Sequence, residues 1–164
     1  MSDKNKKLEH VSDEALKEIV MIKNRIDQLD TSKESKKDFI AYVKNVWDGF
    51  IEGEHHRLFA KKLEDVAKGK TKRLIVNMPP RHTKSEFASF FFPSWIMGLH
   101  PDMKIMQTTH TAELSARFGR KVRNLMDTDE YKQIFDKVRL SADSKSAGRW
   151  ETNHGGEYFA AGVG

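Results

Sequence analysis

The spacing of apolar residues predicts that the N-terminal part of the chain is helical. Residues four and three positions apart form one apolar seam, at Ala15, Ile19, Ile22, Ile26 and Leu29. Ser12 is placed to cap this helix, and Asp13 and Glu14 suit the positive end of its dipole. Such a seam packs either on the rest of the domain or, as a short coiled coil, against another chain.

The polar segment DTSKESKK at 30–37 predicts a break before a second helix, which Ser35 and Asp38 can cap. A third helix is expected from about Glu54 to Lys68, and Gly69 is placed to end it. The second helix carries its apolar side chains at Phe39, Val43, Val46, Trp47 and Phe50.

After Gly69 the pattern changes to alternating strands and helices. Arg73–Met78 is expected to be a buried strand, and Lys84–Phe92 a helix that stops or kinks at Pro93. A second strand follows at Met103–Thr109. The next helix opens at Thr111 or Ala112 and directs Leu114, Phe118, Val122 and Leu125 inward. This order predicts parallel strands joined by right-handed crossovers.

The C-terminal region predicts a hairpin. Ser141–Gly148 is polar and is expected to be a loop. Trp150–Thr152 and Glu157–Ala161 have strand character and flank the turn sequence NHGG.

Composition favours a soluble, intracellular globular protein. The 164 residues are 38% hydrophobic, with a net charge of +5 and a pI near 9.3, compatible with a polyanionic partner but not specific for one. With no cysteine, neither disulfides nor thiolate metal sites contribute. The polar start is unlike a signal peptide, and the apolar stretch at 87–99 is too short and interrupted to span a bilayer.

The segment RLIVNMPPRHTKSEF at 73–87 has the layout of a phosphate-binding loop, with a strand, a loop, Lys-Ser and then a helix. In such loops backbone amides surround an anion, while Lys neutralises phosphates and Ser holds Mg²⁺. Lys84 and Ser85 supply the last two parts, but Met78 and Thr83 stand where the motif has glycine. The alternative interpretation is a helix N-terminus with an exposed lysine.

Thr83 leaves two conformations open. At a positive φ, a β-branched residue costs about 1–2 kcal/mol, whereas at a negative φ it costs little and its hydroxyl can face a phosphate. Pro79 and Pro80 donate no N–H, so the donors would come from residues 81–85.

Three segments together resemble the large terminase subunit of tailed bacteriophages, specifically the N-terminal part of its ATPase domain: NMPPRHTKSE, KIMQTTHTAELSARFGRKVRNLM and GGEYFAAGVG. The resemblance covers roughly residues 36–164. It implies an α/β fold, an incomplete P-loop ATPase core with a parallel sheet flanked by helices. Residues 1–35 would be a helical N-terminal extension and residues 36–164 the first half of the ATPase domain.

The resemblance also implies roles for residues of the loop. Lys84 would contact the β- and γ-phosphates, Ser85 would ligate Mg²⁺ and Arg81 would be the catalytic arginine that reaches the γ-phosphate. Terminase loops of this kind usually have glycine where Thr83 stands. The nucleotide-binding set implied here is Arg81, His82, Thr83, Lys84 and Ser85, with His55 or His56 near the adenine; a surface histidine is the alternative for the last position.

Downstream, Gln107–His110 resembles the segment that couples nucleotide state to DNA, which makes Thr108 and Thr109 candidates. Arg117, Arg120, Lys121 and Arg123 form a basic helix face that would contact DNA or a neighbouring subunit. The alternative is the solvated side of a helix.

The function implied is the ATP-binding part of a DNA-packaging motor, with ATP and Mg²⁺ as cofactors. Its partners would be double-stranded DNA, the portal protein, the small terminase subunit and further copies of itself, in the host cytoplasm and transiently at the prohead portal, without a membrane. The strand ending in catalytic acids and the nuclease domain are absent, so the chain is expected to be a fragment that binds nucleotide weakly without turnover. The alternatives are a helicase-like ATPase and a non-catalytic basic module that binds DNA or a partner.

Overall fold

The computed structural model of the chain describes residues 13–142 and 146–164, and within them the fold is mixed α/β. Ser12, the predicted cap of the first helix, and part of the loop predicted at 141–148 lie outside this range. The elements are α1 (Asp13–Lys37), α2 (Phe39–Val46), α3 (Glu54–Ala67), α4 (Lys84–Glu86), a π-helix (Phe87–Phe91), α5 (Phe92–Leu99), β1 (Lys104–Thr109), α6 (Ala112–Met126), α7 (Asp129–Ile134), β2 (Arg149–Glu151) and β3 (Glu157–Gly162).

The prediction of a break at 30–37 is wrong, because α1 continues through this segment to Lys37 without interruption. This segment contains neither proline nor glycine, and the Thr31 hydroxyl donates to the Asp27 carbonyl 2.8 Å away inside the helix. Asp38 does begin α2 as predicted, since its side chain accepts from the Ala41 N–H at 2.7 Å.

The apolar seam of α1 is not covered by the rest of the described chain. The side chains of residues 16–31 are all exposed, and Ile19, Ile22 and Ile26 each show about half of their surface to solvent. Contact with the body begins at the C-terminal end, where Ser35 is buried and its carbonyl accepts from Trp95 Nε1 at 2.8 Å. Packing of this seam on the domain, one of the two sequence interpretations, is therefore not observed.

Aromatic side chains hold the helical part together. Phe39 on α2 contacts Phe87 of the π-helix edge-on, with ring centroids 5.5 Å apart, and Trp95 of α5 at 5.3 Å. Tyr42 and Tyr131 are fully buried, and both hydroxyls reach Ser94, one at its Oγ (2.7 Å) and one at its carbonyl (2.9 Å). Burial of apolar surface stabilises this core, and the hydrogen bonds of the buried hydroxyls fix the orientation of their side chains.

The strand predicted at Arg73–Met78 is not part of the sheet. Leu74, Val76 and Met78 pack against the core while Ile75 is 88% exposed, so burial alternates as in an extended chain. The three-stranded sheet of the described residues contains only β1, β3 and β2, in that order. The segment has strand character without a neighbouring strand, and the prediction that it is a buried strand of a parallel sheet is wrong.

Of the two outcomes predicted at Pro93, a stop or a kink, the stop is wrong, because the helix runs on to Leu99. The π-helix Phe87–Phe91 immediately precedes it, and the Phe92 N–H donates to the Phe87 carbonyl five residues back. This wider turn accommodates Pro93 in the first turn of α5, since proline has no N–H to give and needs extra space behind it.

The C-terminal sheet agrees well with the sequence. β1 and β3 pair in parallel, and β2 and β3 form the predicted antiparallel hairpin with Gly155 at φ +80° in its turn. α6 covers the sheet, with Val122 and Leu125 buried as predicted. Leu114 is 40% exposed, contrary to prediction, because Ser115 and Gly119 take the inward positions. A side chain at Gly119 would collide with the Ala147 carbonyl oxygen, and the Gly119 carbonyl accepts from Trp150 Nε1 at 3.1 Å.

Candidate functional site

The loop between the extended segment and α4 contains two non-glycine residues in the left-handed region. Arg81 has φ 63° and Thr83 has φ 59° and ψ 9°. Of the two conformations left open for Thr83, the positive φ is the one observed. A β-branched residue there is strained by about 1–2 kcal/mol, so other contacts must hold it in place.

A buried histidine holds Thr83. Nδ1 of His56 accepts from the Gly53 N–H at 2.9 Å, and since an amide can only donate, neutral His56 carries its proton on Nε2. That Nε2–H donates to Thr83 Oγ1 at 2.7 Å, and the Thr83 hydroxyl in turn donates to the His82 carbonyl at 2.7 Å. Both ring nitrogens of His56 are thus engaged in fixing the loop.

The surroundings of His56 favour its neutral form. The ring packs against Phe87 and Phe50, with centroids 5.2 and 4.9 Å away. Burial is the main reason that the pKa of His56 lies below its ordinary 6.5; neighbouring His55 adds to the lowering, Glu52 partly opposes it, and His82 adds a smaller lowering. A neutral ring is the form that accepts from Gly53 while it donates to Thr83.

The start of α4 presents donors toward an open concavity. The first helical hydrogen bond is that of the Phe87 N–H to the Thr83 carbonyl at 2.9 Å. The preceding amides of Lys84, Ser85 and Glu86 have no backbone acceptor among the described residues, and Thr83 provides no side-chain cap. The concavity measures about 440 Å³ and is lined by residues 79–86 alone.

The side chains of the predicted site lie around this concavity. Lys84 Nζ donates to the Met78 carbonyl at 3.3 Å, and Ser85 and Arg81 are exposed. His82 is exposed as well, with Nδ1 2.9 Å from the Pro80 carbonyl oxygen. Of the two predicted adenine candidates, His55 has an exposed ring, whereas His56 is buried and bonded to the protein.

Sequence reasoning missed an ion pair that joins α4 to α6. Lys121, predicted as part of a basic face, lies 2.9 and 3.1 Å from the two carboxylate oxygens of Glu86 and 4.6 Å from the Phe90 ring centroid. Its charge is therefore partly matched within the protein. No local pattern links positions 35 residues apart, so the sequence carried no signal for this pair.

Some of the other residues predicted to couple nucleotide state to DNA are exposed, and others form hydrogen bonds within the fold. Thr108, Arg117 and Arg120 are exposed. Thr109 instead bonds the Thr111 carbonyl at 2.8 Å and the Ser115 hydroxyl at 2.6 Å, fixing the junction of β1 and α6. Arg123 reaches the Ser146 carbonyl at 3.3 Å. No contact joins Thr108 or Thr109 to residues 79–86 among the described contacts.

Metal-binding groups and a second concavity are the other features that bear on where a ligand would bind. In residues 13–142 and 146–164, no group of three His, Asp or Glu side chains is arranged to hold a metal ion. A larger concavity of about 820 Å³ lies between α1, α2 and α3, where acidic residues such as Glu34 and Glu64 alternate with basic ones such as Lys44 and Lys61. Its lining has four acidic side chains and three basic ones, so the smaller concavity at the loop is the better candidate for an anion.

Comparisons with known proteins leave the chain without an assigned relative. No protein family, curated protein or solved structure matches it. Among the helices in the described part of the chain, none combines the length and hydropathy needed to cross a bilayer.

Proposed function

We propose that residues 78–86 form a phosphate-binding loop that binds ATP. The observation that supports this most directly is the N-terminus of α4, where the amides of Lys84, Ser85 and Glu86 have no backbone acceptor among the described residues and a lysine accompanies them. Backbone donors at a helix N-terminus, with left-handed residues in the preceding loop, form the kind of concavity that binds anions. The donor set therefore fits a phosphate group.

The proposed roles follow the chemistry of each side chain. Lys84 would leave the weak contact with the Met78 carbonyl to neutralise the outer phosphates, and the Ser85 hydroxyl would ligate Mg²⁺. Arg81 would place a permanent positive charge near the γ-phosphate. Bound ATP supplies a phosphoanhydride bond for hydrolysis. His55, exposed and adjacent to the loop, is the better candidate for contact with the base.

The wider context we propose is that of a terminase-like, ATP-driven DNA-packaging motor, and it rests on the motif resemblance. In that protein hydrolysis would be coupled to translocation of double-stranded DNA at a portal, with a small terminase subunit and further copies of the chain as partners. The exposed Arg117 and Arg120 on α6 are the residues proposed to meet DNA. A helicase-like ATPase would bind ATP with the same loop, so the proposed roles of the loop residues apply to that alternative as well.

One observation favours a rival of another class. Thr83 is strained and Lys84 is already in contact with the protein, as expected of a loop whose nucleotide binding has been lost. The chain would then be a basic module that binds DNA or a partner protein. This rival predicts DNA binding that is independent of nucleotide and of Lys84.

Equilibrium titration of the 164-residue chain with a fluorescent ATP analogue and Mg²⁺ tests the proposal. We expect measurable binding that Lys84→Ala weakens by about 30- to 100-fold, the equivalent of roughly 2–3 kcal/mol for a lost charge-assisted hydrogen bond. Lys62→Ala on the exposed side of α3 is the matched control and should leave affinity unchanged. Absence of binding, or equal binding by Lys84→Ala, would favour the rival.

A further inference from the structure

The exposed face of α1 is the largest apolar feature that the proposed function does not use. Ile19, Ile22 and Ile26 are 56%, 53% and 52% exposed, and Leu29 is 46% exposed. Every residue from 16 to 31 is exposed, so about 24 Å of helix stands clear of the domain body. A second helix can therefore lie along this face without meeting the rest of the described chain.

The seam has the geometry of a coiled-coil core. The spacing of four and three residues places Ile19 and Ile26 at a positions and Ala15, Ile22 and Leu29 at d positions of a heptad. Ile26 at a with Leu29 at d is the combination that favours two parallel strands, whereas Ile19 at a with Ile22 at d is one that favours more than two. A helix with an exposed a and d seam buries it against another helix. Leu16, Val20 and Met21 are exposed outside this seam.

The charges beside the seam identify the partner. The charged g and e positions next to the core are Glu18, Lys23, Arg25 and Asp30, and Leu16 occupies a further e position. In a parallel pair of identical helices each g residue faces the e residue five positions later on the other helix, so Glu18 meets Lys23 and Arg25 meets Asp30. Both contacts pair opposite charges. The first pair matters more, because Asp30 already lies 3.6 Å from Lys33 in its own helix.

Antiparallel pairing fits these charges less well. The antiparallel register that keeps all of the isoleucines and Leu29 in the core sets Arg25 beside Arg25 of the other copy and Lys23 beside Lys23, both of which repel. A register one heptad away brings Glu18 to Arg25 but pairs Ile26 with Ala15 and leaves Leu29 outside the Ala15–Leu29 seam of the other helix. Only the parallel, in-register arrangement buries the whole seam and matches both charge pairs.

We infer that α1 binds α1 of a second copy of this chain, as a parallel, in-register, two-stranded coiled coil. The interface spans just over two heptads, from Ala15 to Leu29, and forms reversibly. It lies on a different element from the loop at residues 78–86, so it neither requires nor follows from nucleotide binding.

Disulfide trapping tests the register directly, because the chain has no cysteine of its own. Leu29→Cys places two thiols opposite each other in the proposed dimer, whereas each of the two antiparallel registers above separates them by ten residues of helix or more, about 15 Å. We expect Leu29→Cys to form a covalent dimer under mild oxidation. Met21→Cys, 71% exposed but off the seam, is the control and should do so far more slowly. Equal rates for both variants would overturn the inference.

Sedimentation equilibrium of the full chain tests the core. We expect concentration-dependent dimers, and Ile22→Gln or Ile26→Gln should weaken association at least tenfold. Because these side chains are exposed in the single chain, unchanged circular dichroism would show that the fold is intact. Met21→Gln is the matched control and should associate as the wild type does. A monomer at millimolar concentration, or a trimer, would contradict the proposed dimer.

Exchange of charges tests the orientation. Glu18→Lys should weaken the dimer several-fold by facing Lys23 with a like charge, although it places Lys four residues after Glu14 and so supports the isolated helix. Adding Lys23→Glu should restore association. Rescue by Arg25→Glu instead would identify the antiparallel arrangement and overturn the parallel one.

Discussion

The helices α4 and α6 each begin after a threonine, and these two threonines behave differently. Thr111 before α6 is extended, at φ −121° and ψ 148°, and its side chain accepts from the Leu114 N–H at 3.3 Å. Thr83 before α4 is left-handed, and its hydroxyl bonds His56 and the His82 carbonyl instead. The first threonine caps its helix, and the second leaves the helix N-terminus open.

This difference explains how an ordinary residue can take the place of a motif glycine. The left-handed backbone turns the Thr83 side chain away from the amides of α4, and the hydrogen bond from buried His56 compensates for part of the strain. The open amides next to Lys84 then remain available to an anion. At α6 the equivalent donor is occupied by a side chain, so no comparable site exists there.

The largest expected effect on stability is at His56. His56→Ala removes a buried ring and leaves the Gly53 N–H and the Thr83 hydroxyl without their partner, so we expect the free energy of unfolding to fall by about 3 kcal/mol. Urea denaturation measures it. His55→Ala is the matched control, since that neighbouring ring is exposed, and should change stability by less than about 0.5 kcal/mol. Equal losses for both would contradict the anchoring role.

Removing the normal cap should have a smaller effect, and only on stability. Thr111→Ala deletes the acceptor for the Leu114 N–H and should cost about 1 kcal/mol in chemical denaturation. Nucleotide affinity should stay at the wild-type value, because no hydrogen bond joins Thr111 to residues 79–86 in the described part of the chain. A change in affinity comparable to that of Lys84→Ala would show that the two helix starts are not independent.

Thr83→Gly should be close to neutral on its own. Relief of about 1 kcal/mol of left-handed strain offsets the loss of the hydrogen bond to His56, which is worth about the same. In the His56→Ala background only the relief remains, so there the same change should stabilise by about 1 kcal/mol. A double-mutant cycle gives this coupling directly. Additive effects would mean that His56 does not hold Thr83.

Lowering the pH should have a smaller effect than this coupling. Because the folded pKa of His56 is lowered, the unfolded chain binds more protons as pH falls through 6.5, and stability decreases below that value. Between pH 7 and pH 6 we expect a loss of about 0.5 kcal/mol relative to His56→Gln, which can accept from Gly53 and donate to Thr83 without titrating. Parallel pH profiles for the two proteins would exclude His56 as the cause.

The sequence was most informative where structure is set locally. The Asp38 cap, Gly69 after α3, β1, and the hairpin around Gly155 depend on neighbouring residues, and each prediction is confirmed. The prediction of a strand at Arg73–Met78 was wrong because a strand of a sheet needs a neighbouring strand, which its own residues do not specify. The break at 30–37 failed because polar residues alone do not end a helix.

The candidate site likewise has a part that is set by neighbouring residues and a part that depends on contacts between distant ones. The motif identified Lys84 and Ser85 because their positions in a phosphate-binding loop are sequential. Contacts across 27 and 35 residues, from His56 to Thr83 and from Lys121 to Glu86, depend on how α3 and α6 pack and left no trace in the pattern. The left-handed φ of Thr83 was one of two open conformations until that packing was known.

The most direct test of the open helix start is a ¹⁵N–¹H NMR titration of the full chain with the non-hydrolysed ATP analogue AMP-PNP and Mg²⁺. We predict that the amide signals of Lys84, Ser85 and Glu86 shift on binding, while those of Ala112, Glu113 and Leu114 at the capped start of α6 do not. Saturating shifts at residues 84–86 alone would support a phosphate site at α4. Unchanged signals at residues 84–86, with or without shifts elsewhere, would contradict it.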